Sequence, residues 1–319
     1  MSETTLKIIN MQDVEAKEVK WLWYPYIPYG KITIIQGDPG EGKTTLVLNL
    51  AALLTRGEKL PESDTVAEPI NVLYQSAEDG LADTIKPRLI AANADVSRVM
   101  VIDETEIELS MTDHHLEAAI RQRGAKLVIL DPLQAYLGAK VDMHRANEVR
   151  PVFKHLATVA EKYGCAIVLI AHMNKTTGIK AAYRMLGSVD ITAAARSVLI
   201  VGRIKDNPTT RVMVHSKSSL APEGEPIAFE LNPETGFAFI GKYHISVDEL
   251  LDGCNATNKL DEAERFLETL FADTDEIPQR EINAQAQARH IAKRTLDEAK
   301  KQLHISSVKI GSQWFWRRN

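Results

Sequence analysis

Cysteine is almost missing from this chain of 319 residues: Cys165 and Cys254 are the only two. Cys165 sits in an apolar run of strand type and Cys254 in a polar stretch, which excludes a disulfide framework and fits idle thiols in a reducing compartment. No apolar run approaches the length of a membrane span, and no charged-then-apolar leader opens the chain, so a cytoplasmic protein without a membrane partner is expected. Internal repeats and low-complexity tracts are also lacking, which excludes repeat architectures. An excess of positive charge is absent overall. The formal net charge is −5, which argues against a chain coated with nucleic acid.

That charge is unevenly spread. From Arg289 to the end there are eight Lys/Arg and two Asp/Glu, a balance of +6, which leaves −11 for the rest. The C-terminal tail is therefore a candidate for binding a polyanion. The length suggests about two domains, and the 45% hydrophobic and 25% charged fractions are ordinary for a globular protein.

Gly37-Asp38-Pro39-Gly40-Glu41-Gly42-Lys43-Thr44 fits the phosphate-loop pattern G-x-x-x-x-G-K-[ST] without a mismatch. A strand-like run, 31–36, precedes it, and a long helix-like run beginning at Thr45 follows. Strand, loop and helix in that order carry the chemistry. Glycines let backbone N–H groups close round phosphates, and the helix N-terminus adds its positive dipole end. Lys43 should reach the β- and γ-phosphates of ATP, and Thr44 should place its hydroxyl on Mg²⁺.

Strand and helix patterns then alternate. Strands are expected at 71–76, 98–103, 126–130 and 165–171, and helices at 81–93, 113–122 (with Thr112 as N-cap) and 148–163 (with Pro151 in its first turn). Strands apolar along their whole length predict an α/β fold, a mostly parallel sheet covered by helices on both faces. Short strands from 198 to 240 read as antiparallel additions to one edge. The aromatic stretch Trp21 to Tyr29 reads as an irregular lead-in packed against the sheet edge. This gives a core over 1–245 with its lead-in at 1–30, a linker over 246–259, and a last unit over 260–319. Helices at 261–271, 278–288 and 292–303 followed by a hairpin at 305–316 predict a winged helix-turn-helix.

Asp131 ends an apolar strand, where a second Mg²⁺-side carboxylate belongs, although an Asp before Pro can also start a turn. Glu78 is the candidate general base, with Asp79 its competitor, and both would also suit the start of the following helix. His172 could sense the γ-phosphate or merely finish its strand. Lys175, Lys180 and Arg184, with Tyr183, form a cation-plus-aromatic set suited to single-stranded DNA, though a solvated loop would look similar. Lys293, Arg294, Lys300 and Lys301 on the third terminal helix and Lys309 in the hairpin suit DNA phosphates; the alternative is a protein-contact domain. Trp314 and Trp316, two apart, should share one face and pack on the helices.

These motifs together resemble the RepA-type RecA-like ATPases, hexameric replicative helicases of plasmids and phages. The resemblance rests on 37–44, Ser76-Ala-Glu-Asp79, 127–132, Ala171-His-Met-Asn-Lys175, Arg196 in Ala193-Ala-Ala-Arg-Ser197, and His215-Ser-Lys217-Ser. It implies Glu78 as catalytic base, His172 as γ-phosphate sensor, Arg196 as an arginine finger inserted into a neighbour's site, and Lys217 as a second basic group near that interface. It also implies a homo-hexamer hydrolysing ATP with Mg²⁺ while moving on single-stranded DNA, with DNA or a replication-initiation partner on the winged helix. A recombinase-like or regulatory ATPase without unwinding activity is the alternative, and a non-enzymatic adaptor a further one.

Overall fold

The computed structural model describes residues 8–63, 68–105, 109–139, 141–173, 189–205, 207–252, 257–271, 274–289, 291, 293–311 and 313–318. It forms two compact units, 1–202 with 209–244, and 203–208 with 245–319.

The first unit begins with β1 (Trp21–Trp23) and β2 (Ile27–Pro28), an antiparallel pair. Then follow β3 (Ile32–Gly37), α1 (Lys43–Arg56), β4 (Val72–Ser76) and a π-helical turn, Leu81–Ile85, that runs into α2 (Lys86–Ala91). Next come β5 (Val99–Met100), α3 (His114–Arg123), β6 (Leu127–Asp131), α4 (Ala146–Tyr163), β7 (Ala166–His172) and α5 (Val189–Ala194). Four strands complete the series: β8 (Ser197–Ile204), β9 (Asn207–Ser218), β10 (Ile227–Asn232) and β11 (Gly236–Lys242).

Nine of these strands form one sheet in the order β11-β10-β9-β8-β3-β7-β6-β4-β5. From β8 to β5 every pairing is parallel, while β9–β10 and β10–β11 are antiparallel. The expected α/β fold is therefore present, and the physical reason is visible within each strand. Ile34 faces a core shared with Leu116, Phe153 and Ile191 of α3, α4 and α5, and its neighbour Ile35 faces one shared with Leu46, Leu50 and Leu89 of α1 and α2. Strands buried on both faces must be apolar at every position.

Several local expectations need correction. Asp113, not Thr112, caps α3, its carboxylate accepting from the His115 N–H at 2.8 Å. The strand expected over 98–103 shortens to β5, because the Gln75 side chain replaces the ladder: its Oε1 accepts from the Ile102 N–H at 2.6 Å. Helix α4 starts two residues earlier than expected, which puts Pro151 beyond its first turn. The aromatic lead-in is a hairpin rather than irregular chain, with Trp23, Tyr26 and Ile27 buried.

The second unit contains α6 (Val247–Asp252), α7 (Thr257–Leu270), β12 (Glu276–Pro278), α8 (Gln279–Ala288), α9 (Lys293–Gln302), β13 (Ser306–Ile310) and β14 (Gln313–Arg317). The stretch read as linker thus carries α6 and the first turn of α7, and Pro278 ends a strand rather than starting a helix. β12 pairs with β14 and makes the hairpin a three-stranded sheet, β12-β14-β13. Ala263, Phe266, Leu267, Ile282, Leu296 and Trp316 form the core. Among the described residues no helix is long and apolar enough to cross a membrane. Cys165 is buried and its thiol is pushed up to about 11 by desolvation, while Cys254 lies outside the described residues.

His215 on β9 is 2% exposed. Its Nδ1 accepts from the Gly224 N–H at 2.8 Å, leaving Nε2–H to face Ser197 Oγ at 3.1 Å, and the ring stacks on Tyr26. Burial pushes this imidazole down to about 4. Because only the unfolded chain takes up a proton between its ordinary value of about 6.5 and that value, stability contributed here is present at neutral pH and lost as pH falls through this window. Urea unfolding at pH 7 and near pH 4.5 should show a loss about 2 kcal/mol smaller in His215→Gln than in the parent chain.

Candidate nucleotide site

The site forms where the parallel strands end. In register, Gly37 of β3 lies beside His172 of β7, and Ser76 of β4 beside Asp131 of β6. This is the carboxyl edge of the sheet, where open α/β folds hold ligands. Between β3 and α1 the chain turns through Gly40 and Gly42, at φ of +80° and +86°. Gly42 caps α1 and has no side chain of its own to offer the first-turn N–H groups. A Cβ on Gly37 would lie 2.2 Å from the Val201 carbonyl oxygen, so β8 passes too close for any side chain there. Pro39 and Gly40 form the exposed tip, and Thr45 continues α1.

Lys43 is buried and its Nζ donates to the carbonyls of Gly37 and Asp38, each at 2.9 Å. Desolvation lowers its pKa, opposed mainly by Asp131. Thr44 Oγ1 donates to Asp131 Oδ2 at 2.7 Å, and the Tyr74 hydroxyl donates to the same oxygen at 3.0 Å. Burial raises the Asp131 pKa, and these two hydrogen bonds lower it. Glu41, behind the loop, lies 3.5 Å from Arg211 of β9.

His172 links the two expected catalytic groups. Its Nδ1 lies 3.5 Å from Lys43 Nζ, and its Nε2 lies 3.5 Å from Glu78 Oε1. With the ammonium facing Nδ1, the Nε2–H tautomer points at the carboxylate. Asp79, the competitor to Glu78, is held elsewhere: its N–H bonds Ser76 Oγ at 3.1 Å and its carboxylate accepts from Arg88 at 2.8 Å. Tyr74 and Arg211 were missed in the sequence. A tyrosine following the apolar pair Val72-Leu73 in an expected strand was the signal for Tyr74, since a buried hydroxyl needs a partner. No pattern marks Arg211.

Arg196 stands apart from this cluster. Its N–H bonds the Ile32 carbonyl at 3.0 Å, which places it at the opposite end of β3 from Gly37. Five residues of strand are about 16 Å, beyond the reach of its side chain to a ligand on its own loop. Lys217 lies beside it but donates to the carbonyls of Thr192, Ala193 and Ala195 at 2.8–3.0 Å, so it fastens the α5 terminus that leads into Arg196.

Of the expected DNA contacts, Lys293, Lys300, Lys301 and Lys309 are among the described side chains. Lys175, Lys180 and Arg184 lie outside the described residues, as does the Arg294 side chain. Lys300 turns inward, with its Nζ 4.4 Å from the Trp316 ring centroid and bonded to Ser307 Oγ. Lys293 and Lys301 are exposed on α9, and Lys309 lies on β13.

The residues fit the groups that the loop implies. Two glycines in left-handed conformation, the N–H groups at the α1 start and a buried ammonium suit a triphosphate. Thr44 and Asp131 bring two hard oxygens within 2.7 Å of each other, and Mg²⁺ uses such a pair together with substrate phosphates.

A model of the AAA domain family matches residues 3–178. The chain belongs to that family. Among curated relatives, this AAA-domain chain is 26% identical over 152 residues to the DNA repair protein RadA of Bacillus subtilis, a match spanning 47% of the chain and 29% of the relative. It is 22% identical over 260 residues to the RadA of Streptococcus pneumoniae, spanning 81% of the chain and 56% of the relative. The chain thus spans about half the length of these relatives, or less. The ATPase domain of G40P superposes with a TM-score of 0.51 at 15% identity, covering 67% of this chain and 85% of that one, and it shares the fold. The first unit thus has the α/β fold of that ATPase domain.

Tyr74→Phe removes one of the two donors to a buried carboxylate. It should destabilise the fold by about 1–3 kcal/mol in urea unfolding, and unchanged stability would show that Thr44 alone satisfies Asp131.

Proposed function

We propose that this AAA-domain protein is an ATP-hydrolysing motor working on single-stranded DNA as a ring of identical chains, and specifically a hexameric replicative helicase of a plasmid, phage or mobile element. One observation carries the reading. Arg196 lies about 16 Å along β3 from the loop of its own chain, so an arginine acting on the transferring phosphoryl must come from another copy. Closed head-to-tail contacts of that kind make a ring.

Within each site, Glu78 takes a hydrogen bond from the attacking water and draws off its proton as the oxygen–phosphorus bond forms. The bond to the β-phosphate breaks in line with it. His172, between Lys43 and Glu78, couples the γ-phosphate position to the base. Lys43 and the neighbour's Arg196 stabilise charge on the phosphoryl oxygens. Thr44 and Asp131 would hold Mg²⁺, which supplies further charge neutralisation there. Lys217 keeps the Arg196 segment in place. The part of the second unit with α7, α8, α9 and the β12-β14-β13 sheet is read as a winged helix-turn-helix over 260–319, joined to a core over 1–245, that meets DNA or a replication-initiation partner. Lys175, Lys180 and Arg184, with Tyr183, supply the core's contact to single-stranded DNA.

A second reading has its own support. The curated relatives carry the name DNA repair protein RadA, which favours a repair-type ATPase that binds DNA without unwinding it. ATP-dependent displacement of a strand from a forked duplex distinguishes the two, since DNA-stimulated hydrolysis without displacement assigns the repair type. The shared-site claim is tested by mixing. Lys43→Met and Arg196→Ala chains should each be nearly inactive, Arg196→Ala should still bind ATP, and the mixture should regain turnover at interfaces that pair an intact loop with an intact arginine. Wild-type turnover in Arg196→Ala alone would end the proposal.

A further inference from the structure

The basic tail makes α9 the expected nucleic-acid face, yet among its described side chains the exposed charges are mixed in sign. Lys293 and Lys301 are interleaved with Asp297 and Glu298, which share one face with them. A phosphate backbone laid there would meet two carboxylates along with two ammonium groups. Lys300 faces the core and Arg317 is paired across strands with Glu276 at 2.8 Å. Among the described side chains of α9 the exposed charges therefore balance.

A different surface of the same unit has the chemistry that α9 lacks. Between the first turns of α8 and the start of β14 lies a groove of about 750 Å³, lined by Gln279, Arg280, Asn283, Gln313 and Trp314 among others. Trp314 is 51% exposed, whereas Trp316, two residues on and on the same face of β14, is 1% exposed. Register explains the contrast. Trp316 lies opposite Ile277 of β12, but β12 ends at Pro278 opposite Phe315, so Trp314 has only Lys309 of β13 beside it. The Lys309 ammonium is 6.0 Å from the indole centroid.

Apart from the indole, the apolar side chains of this wall are Pro278 and Ala284. No leucine-type stripe is present against which a partner helix could bury itself. Amides of Gln279, Asn283 and Gln313 both donate and accept, as base edges require, and Arg280 offers a fork suited to phosphate. Glu281, the acid in the wall, accepts from Gln285 on its own helix. A lone indole stacks on an unpaired base, whose face a duplex conceals. We infer that the α8–β14 groove binds single-stranded nucleic acid, with one base stacked on Trp314 and neighbouring phosphates on Arg280 and Lys309. The inference rests on the DNA-directed reading above and places the second unit's contact on the groove instead of on α9.

The test is fluorescence anisotropy of a labelled oligothymidine with the 319-residue chain, run with and without ATP and over a range of salt. Trp314→Ala should weaken binding about tenfold, and Trp314→Phe should keep it within about threefold, since a benzene ring still stacks. Arg280→Ala should lower the slope of log affinity against log salt by about 0.7, whereas Trp314→Ala should leave that slope unchanged. A Lys293→Ala, Lys301→Ala double variant should bind as the parent does. Loss in that double variant with unaltered binding in Trp314→Ala overturns the groove and restores α9. Full binding in every variant also overturns it while leaving the motor reading standing, and full DNA binding with an altered oligomer mass in Trp314→Ala assigns the groove to a protein contact. A parent chain that binds no oligothymidine in any nucleotide state removes both readings.

Discussion

Thr44 and Asp131 meet across a strand that belongs to neither of them. β3, which leads into the loop, and β6, which ends at Asp131, are separated in the sheet by β7. Strands lie about 4.8 Å apart, so roughly 10 Å separates the two backbones. The 2.7 Å contact exists because the first turn of α1 crosses over β7 and lowers Thr44 onto the end of β6. It depends on a parallel order in which the strands end at one level. It also depends on a helix packed closely enough to hold its first turn in place, as Leu46 and Leu50 do within the α1-side core.

The same crossing explains the buried charges. Lys43 and Asp131 are both largely removed from water, an arrangement that costs free energy unless each charge is met by hydrogen bonds. Lys43 is met by two loop carbonyls, and Asp131 by two hydroxyls on one oxygen. These partners are what incoming phosphate and metal would replace. The site is therefore held together by groups that can be exchanged, and His172 extends that network outward to Glu78.

In the second unit the decisive constraint is the length of β12. Three residues suffice to cover Trp316 and complete a core around Phe266, Leu267 and Leu296, but they leave the far end of the β13–β14 hairpin without a third strand. Two tryptophans on one face of one strand thereby acquire opposite environments.

Much of this was legible in the residues. The loop pattern, the apolar strands with a carboxylate or histidine at their ends, and the helical periodicity of the last sixty residues prescribe an α/β core with a nucleotide edge and a small helical unit after it. They do so because local conformation and two-sided burial leave a direct imprint on spacing. What only the folded chain decided are the relations between segments far apart in sequence: that Tyr74 rather than Asp79 joins the site, that Gln75 ends a strand, that Lys300 faces inward, and that Arg196 lies at the wrong end of β3 for its own loop. Such outcomes turn on which strands become neighbours and in what register. Pairing of that kind is set by the packing of the whole sheet, and no single stretch of sequence contains it.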